Sequence, residues 1–168
     1  MTAGVGALNR RALVLFAAFA ATIPLANWTL STVGFVNVPL LGPVASGVVW
    51  AGLAFVLRDM AQAASTKWAT LPAVAVGVAL SAWLANPELA LASAAAFGVS
   101  ETLDWAIYTP LAERRWTLAV ILSSVVGGAV DSALFLLIAF GSTTGWWQLA
   151  VVKAAIVLAA TPVARRLR

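Results

Sequence analysis

The sequence predicts an all-α integral membrane protein, one domain over residues 1–168, with six transmembrane helices and both termini cytoplasmic. Three observations predict it. The chain is 62% hydrophobic and only 10% charged, with a mean hydropathy of +0.98, whereas soluble domains carry about 25% charged residues. Six stretches approach the roughly 20 apolar residues that a helix needs to cross a bilayer. The basic residues, finally, fall almost entirely in alternate connections, as the positive-inside rule requires.

The spans are expected at residues 12–28, 36–57, 68–85, 88–110, 116–140 and 145–164. Arg10 and Arg11 precede the first, and the segment from Asn27 to Asn37 leads to the second. Arg58 and Lys67 flank the connection to the third. Asn86-Pro87 separates the third from the fourth, and Glu113-Arg114-Arg115 the fourth from the fifth. Gly141 to Gly145 turns the chain into the last span, which Arg165, Arg166 and Arg168 close. Nine of the ten Lys and Arg residues thus obey one topology, Lys153 being the exception. Pro24, Pro39, Pro43 and Pro72 lie in or beside spans, where neighbouring helices can satisfy the freed carbonyls. Trp28, Trp68, Trp83, Trp116, Trp146 and Trp147 fall near span ends, as an interfacial belt would. A rival reading takes residues 1–23 as a secretory signal with Arg10-Arg11 as its basic region, but no soluble segment follows that would need export.

Cysteine and histidine are both absent. That excludes thiol nucleophiles, Cys/His zinc sites and histidine-based acid–base catalysis. No phosphate-cradling glycine motif occurs, so no cofactor and no metal are expected, and the chain reads as a non-enzyme. A net charge of +4 would point to nucleic acid in a soluble protein. Here the placement of the charges reads as membrane orientation, with the lipid bilayer and not nucleic acid as the partner.

Charges inside spans are costly in hydrocarbon and therefore mark function. Asp131 lies about ten residues before the Gly141–Gly145 turn and Lys153 about eight after it. At about 1.5 Å per residue both sit roughly 12–15 Å deep, so a carboxylate and an ammonium meet at one level and are expected to pair. Such a pair either lines a cavity or serves only as a structural bridge. Glu101 and Asp104 share one face of the fourth span by their i,i+3 spacing. Two carboxylates so close need a cation nearby. Asp104 is expected to meet Arg58 or Arg114, or to snorkel to the inner interface, and Glu101, the deeper, to face the cavity. Arg58, Asp59 and Gln62 share one turn at the inner end of span two, where a solvated helix end is the plainer expectation. Gly127-Gly128 are expected to allow close helix approach.

Several of these residues resemble one family. Phe55-Val-Leu-Arg-Asp-Met-Ala-Gln62 is similar to the second-span signature of the VUT family, the queuosine precursor transporters. Glu101-Thr-Leu-Asp104 with its following Arg-Arg-Trp junction, the stretch Val126 to Phe140 around Asp131, and Lys153 resemble it in order and spacing over about residues 50–160. The chain differs in having Gly128 where Asn is common, Glu101 where Gln is common, and Met60-Ala61-Gln62 after Asp59.

The resemblance implies import of a 7-deazaguanine base, such as the 7-cyano or 7-aminomethyl form, across the cell (inner) membrane. It implies a fold similar to the membrane-embedded substrate-binding subunits of vitamin importers. The substrate-binding residues it points to are Glu101, Asp131, Lys153, Asp104, Asp59, Arg58 and Gln62. Glu101 or Asp131 would accept the base's N1–H and N2–H, Lys153 would meet O6, and Trp or Phe would stack on its faces. A homodimer or a partner ATPase stays open. Two other readings stand beside it: the binding subunit of an ATP-driven vitamin importer, and a small membrane scaffold whose buried charges set helix register.

Overall fold

The computed structural model describes residues 10–84 and 90–167. It consists of five helices and one small hairpin: α1 (Arg10–Val33), β1 (Phe35–Val38), β2 (Gly42–Ala45), α2 (Val48–Ala63), α3 (Lys67–Leu84), α4 (Ala90–Phe140) and α5 (Trp146–Leu167). Four of the helices (α1, α3, α4 and α5) are long and apolar enough to cross a membrane, and the protein is an all-α membrane protein apart from that hairpin.

At 51 residues, α4 would run about 76 Å as a straight rod, far beyond a hydrocarbon core of about 30 Å. It does not run straight. Arg115, the last of the three consecutive charged residues Glu113, Arg114 and Arg115, leaves helical geometry at φ −141°, ψ 67°. The two arms, residues 90–114 and 116–140, fold back antiparallel. Trp116 meets Tyr108, Gly127 lies against Asp104, and Ser100 reaches Asp131. Close approach of the arms depends on Gly127, where an added Cβ would lie 3.0 Å from Phe55 and 3.1 Å from Asp104.

The second expected span needs correction. Residues 36–45 form no helix but an antiparallel hairpin, with Phe35 opposite Ala45 and Val38 opposite Gly42. The stretch is apolar, yet Val36, Val38 and Val44 favour strands. Pro39 and Pro43 remove helix donors, and the turn places Leu40 at φ 70° and Gly42 at φ 82°. Val44, Ala45 and Val48 then pack with Leu136 and Leu149, closing the bundle at that end. In turn, α2 starts late and continues past Arg58 to Ala63. It contacts α1, α3, α4 and α5, and its second half, including Arg58, Asp59 and Gln62, is buried against them, so the neighbours of those side chains are protein rather than lipid. That is why it can carry charges that a lipid-facing helix could not.

The other boundaries agree with expectation within a few residues, except that α1 runs five residues beyond its expected end. Asn86-Pro87 lie outside the described residues. All exposed basic residues among those described, namely Arg10, Arg11, Lys67, Arg114, Arg115, Arg165 and Arg166, gather at one end of the bundle. There Arg11 donates to the Leu167 carbonyl and the Trp105 indole donates to the Lys67 carbonyl at 3.0 Å. Trp28, Trp68, Trp83, Trp146 and Trp147 are exposed. Trp116 is not part of that belt: the turn at Arg115 folds it inward, 6% exposed, with its indole N–H on Tyr108 Oη at 2.9 Å.

Candidate functional site

The second arm of α4 and the start of α5 carry the first ionic group. Ten residues before Gly141 and eight after Gly145, Asp131 and Lys153 face each other, and Lys153 Nζ pairs with Asp131 Oδ2. Lys153 Nζ also donates to Ser132 Oγ at 2.9 Å, and Ser100 Oγ donates to Asp131 Oδ1 at 3.3 Å. An ammonium has three donors and a carboxylate about four acceptor positions, so each retains capacity for a ligand. Lys153 is buried, whereas Asp131 keeps 18% of its side chain accessible.

That accessibility is to a chamber of about 130 Å³. Asp131, Ser132 and Lys153 form its polar wall, Asn27, Ser81 and Ser93 add further polar groups, and Phe97 and Phe135 supply aromatic faces. Every helix contributes to the lining. At Gly47, one of the lining residues, an added Cβ would lie 2.5 Å from the Ala26 carbonyl oxygen, so α1 and the start of α2 approach closely there. Asn27, Leu30, Ala45, Ser93, Phe135 and Leu149 are shared with a larger vestibule of about 760 Å³. The vestibule is bordered by Trp28, Phe35, Leu84 and Phe140, at the end of the bundle opposite the exposed arginines. Small-molecule sites typically enclose roughly 300–1,000 Å³, so the chamber becomes a site of ordinary size only together with this vestibule.

A second ionic group lies deeper towards the basic end. Arg58 is fully buried, and so are Asp59, Glu101 and Asp104. Its guanidinium engages all three: Nη1 lies 2.8 Å from Asp59 Oδ1, Nε donates to Glu101 Oε2 at 3.0 Å, and Nη2 pairs with Asp104 Oδ2. Tyr108 lies under the guanidinium at 5.8 Å and donates to the Asp59 carbonyl at 3.1 Å. Gln62 accepts from Arg58 Nη1 at 3.4 Å and donates to Thr109 Oγ1 at 3.1 Å.

The solvated helix end weighed for Arg58, Asp59 and Gln62 is therefore corrected, because the first arm of α4 packs over them and supplies their partners. Asp104 does not snorkel; it meets Arg58. Glu101 also turns to Arg58 and is not among the residues that line the chamber. Sequence reasoning brought Asp131 to Lys153, and the structure pairs them. It missed Asn27, Ser81, Ser93 and Ser132, since an isolated small polar residue in a span has no obvious partner to identify it.

No curated protein and no solved structure matches the chain. Residues 42–165, most of the chain and all of both ionic groups, match the family described as "Putative vitamin uptake transporter", and the chain belongs to that family.

Proposed function

We propose that this protein imports 7-deazaguanine precursors of queuosine, and that the base binds in the chamber against Asp131 and Lys153. In this reading the helices make six crossings, the two arms of α4 counting separately, with both termini cytoplasmic and the vestibule open to the outside of the inner membrane. The observation that carries it is the Asp131–Lys153–Ser132 group, set in the wall of a chamber that opens away from the basic end.

The chemistry fits the ligand. The base offers N1–H and N2–H on one edge, and a carboxylate accepts both together. Its O6 is an acceptor for the remaining Lys153 donor. Phe97 and Phe135 are placed to cover its faces, and Asn27 adds an amide at the mouth. A ligand lacking these groups would leave the spare acceptors of Asp131 and the spare donor of Lys153 desolvated without a partner, which is the source of selectivity. Arg58, Asp59, Gln62, Glu101 and Asp104 support the site from beneath and do not touch the base.

The test is expression of the chain alone in a host unable to make the precursor. Restored queuosine in tRNA after feeding the 7-cyano or 7-aminomethyl base, with no ATPase added, supports a self-sufficient carrier. Restoration only with a partner ATPase favours the binding-subunit reading, and no restoration under either condition contradicts import.

A further inference from the structure

The Arg58 group does not balance its charge. A guanidinium stays protonated in proteins, so Arg58 offsets one carboxylate. Asp59, Glu101 and Asp104 together would carry three negative charges, which leaves two uncompensated in a fully buried site. Isolated buried charges are so costly that such groups neutralise instead. The remaining oxygens agree: Glu101 Oε1 and Asp104 Oδ1 are buried without a hydrogen-bond partner.

Among the described residues, no cation other than Arg58 forms an ion pair with these carboxylates. On α2 the charged groups are Arg58 and Asp59 themselves. On the first arm of α4 they are Glu101 and Asp104, with Tyr108 beside them, while Glu113 and Arg114 are exposed at the turn. The second arm presents Asp131, which α5 already neutralises through Lys153. The described parts of α1 and α3 are charged only at Arg10, Arg11 and Lys67, at the basic end. A bound metal ion is disfavoured by the guanidinium at the centre, and no metal-holding group of carboxylates exists among the described residues.

We propose that the Arg58 cluster is a proton-binding site, holding two protons among Asp59, Glu101 and Asp104, and that their uptake and release couple transport to the proton gradient. Polar groups flank the site on both sides. Towards the chamber, Ser100 precedes Glu101 on the same arm and donates to Asp131 in the chamber wall. On the other side Gln62 connects Arg58 to Thr109 towards the basic end. Loading from one side and release to the other convert carboxylate to carboxyl and back, with the proton passing to water and Arg58 retaining its charge throughout. The coupling rests on the import reading above; the bound protons do not.

Infrared spectroscopy of the purified wild-type protein at neutral pH tests the protons directly. The carbonyl band of protonated carboxylic acids is expected, shifted by carboxyl-labelled Asp or Glu and weakened in Asp104→Asn. Absence of that band in the wild type overturns the proposal, whatever the protein transports and whether or not any variant folds. In proteoliposomes at clamped potential, an acid-outside gradient is expected to raise initial uptake of the 7-cyano base severalfold. Asp104→Asn should lose most of that acceleration. Uptake indifferent to the proton gradient, or following a sodium gradient instead, overturns the coupling. A protein that shows the band but neither binds nor moves the base contradicts import and the coupling that rests on it, while the proton site stands.

Discussion

Two buried ionic groups sit one above the other in this bundle, and they are built to opposite rules. Asp131 and Lys153 are matched one to one, keep unused donors and acceptors, and border a chamber. Arg58 faces three carboxylates, is sealed from every cavity described, and lies on the most enclosed helix. A balanced pair beside open space can exchange partners with a ligand. An unbalanced, sealed cluster can change its charge only by gaining or losing a small ion. The proposed roles follow this contrast: ligand recognition for the upper group and charge balance for the lower.

The largest expected effect breaks the lower group. Arg58→Leu leaves three carboxylates without their cation, and removing one partner of a buried pair costs about 3–5 kcal/mol. The variant should melt far below wild type in detergent or fail to insert; a melting temperature within a degree or two of wild type would contradict the cluster. Next comes the upper pair. Asp131→Asn and Lys153→Met should each destabilise by about 3 kcal/mol, because each strands a charge, while the double variant recovers most of the loss. Additive melting shifts would show that the two do not act as a pair. The smallest effect is at Trp116→Phe, which removes the indole donor to Tyr108 and should cost about 1 kcal/mol, with base binding unchanged.

What could be read from the sequence follows the same division. The upper pair was legible because Gly141 and Gly145 mark a short turn, and equal spacing from it sets equal depth. The second arm of α4 and α5 were legible for the same reason, being uniform apolar runs between clear breaks. The lower group was only half legible. The spacing of Glu101 and Asp104 announced a need for a cation, and Arg58 was a candidate. Its burial was hidden, since hydropathy places an arginine at the edge of a span unless the helix is known to be surrounded by protein. The hairpin at Phe35–Ala45 was hidden too, because a short apolar run cannot be divided between strand and helix by periodicity alone. Trp116 looked interfacial by position, and only the fold at Arg115 turns it inward.

In the proposed mode of binding the base is read by Asp131 and not by the sealed carboxylates. Its most direct test is the affinity of purified, folded protein for 7-cyano-7-deazaguanine, and for the analogue lacking the exocyclic amine, in wild type, Asp131→Asn and Glu101→Gln. Wild type is expected to prefer the complete base. Asp131→Asn should lose about tenfold to a hundredfold in affinity and most of that preference, a loss of about 1.5–3 kcal/mol, whereas Glu101→Gln should keep both. A Glu101→Gln variant that loses the preference while Asp131→Asn retains it would place the recognition in the lower group and contradict the claim.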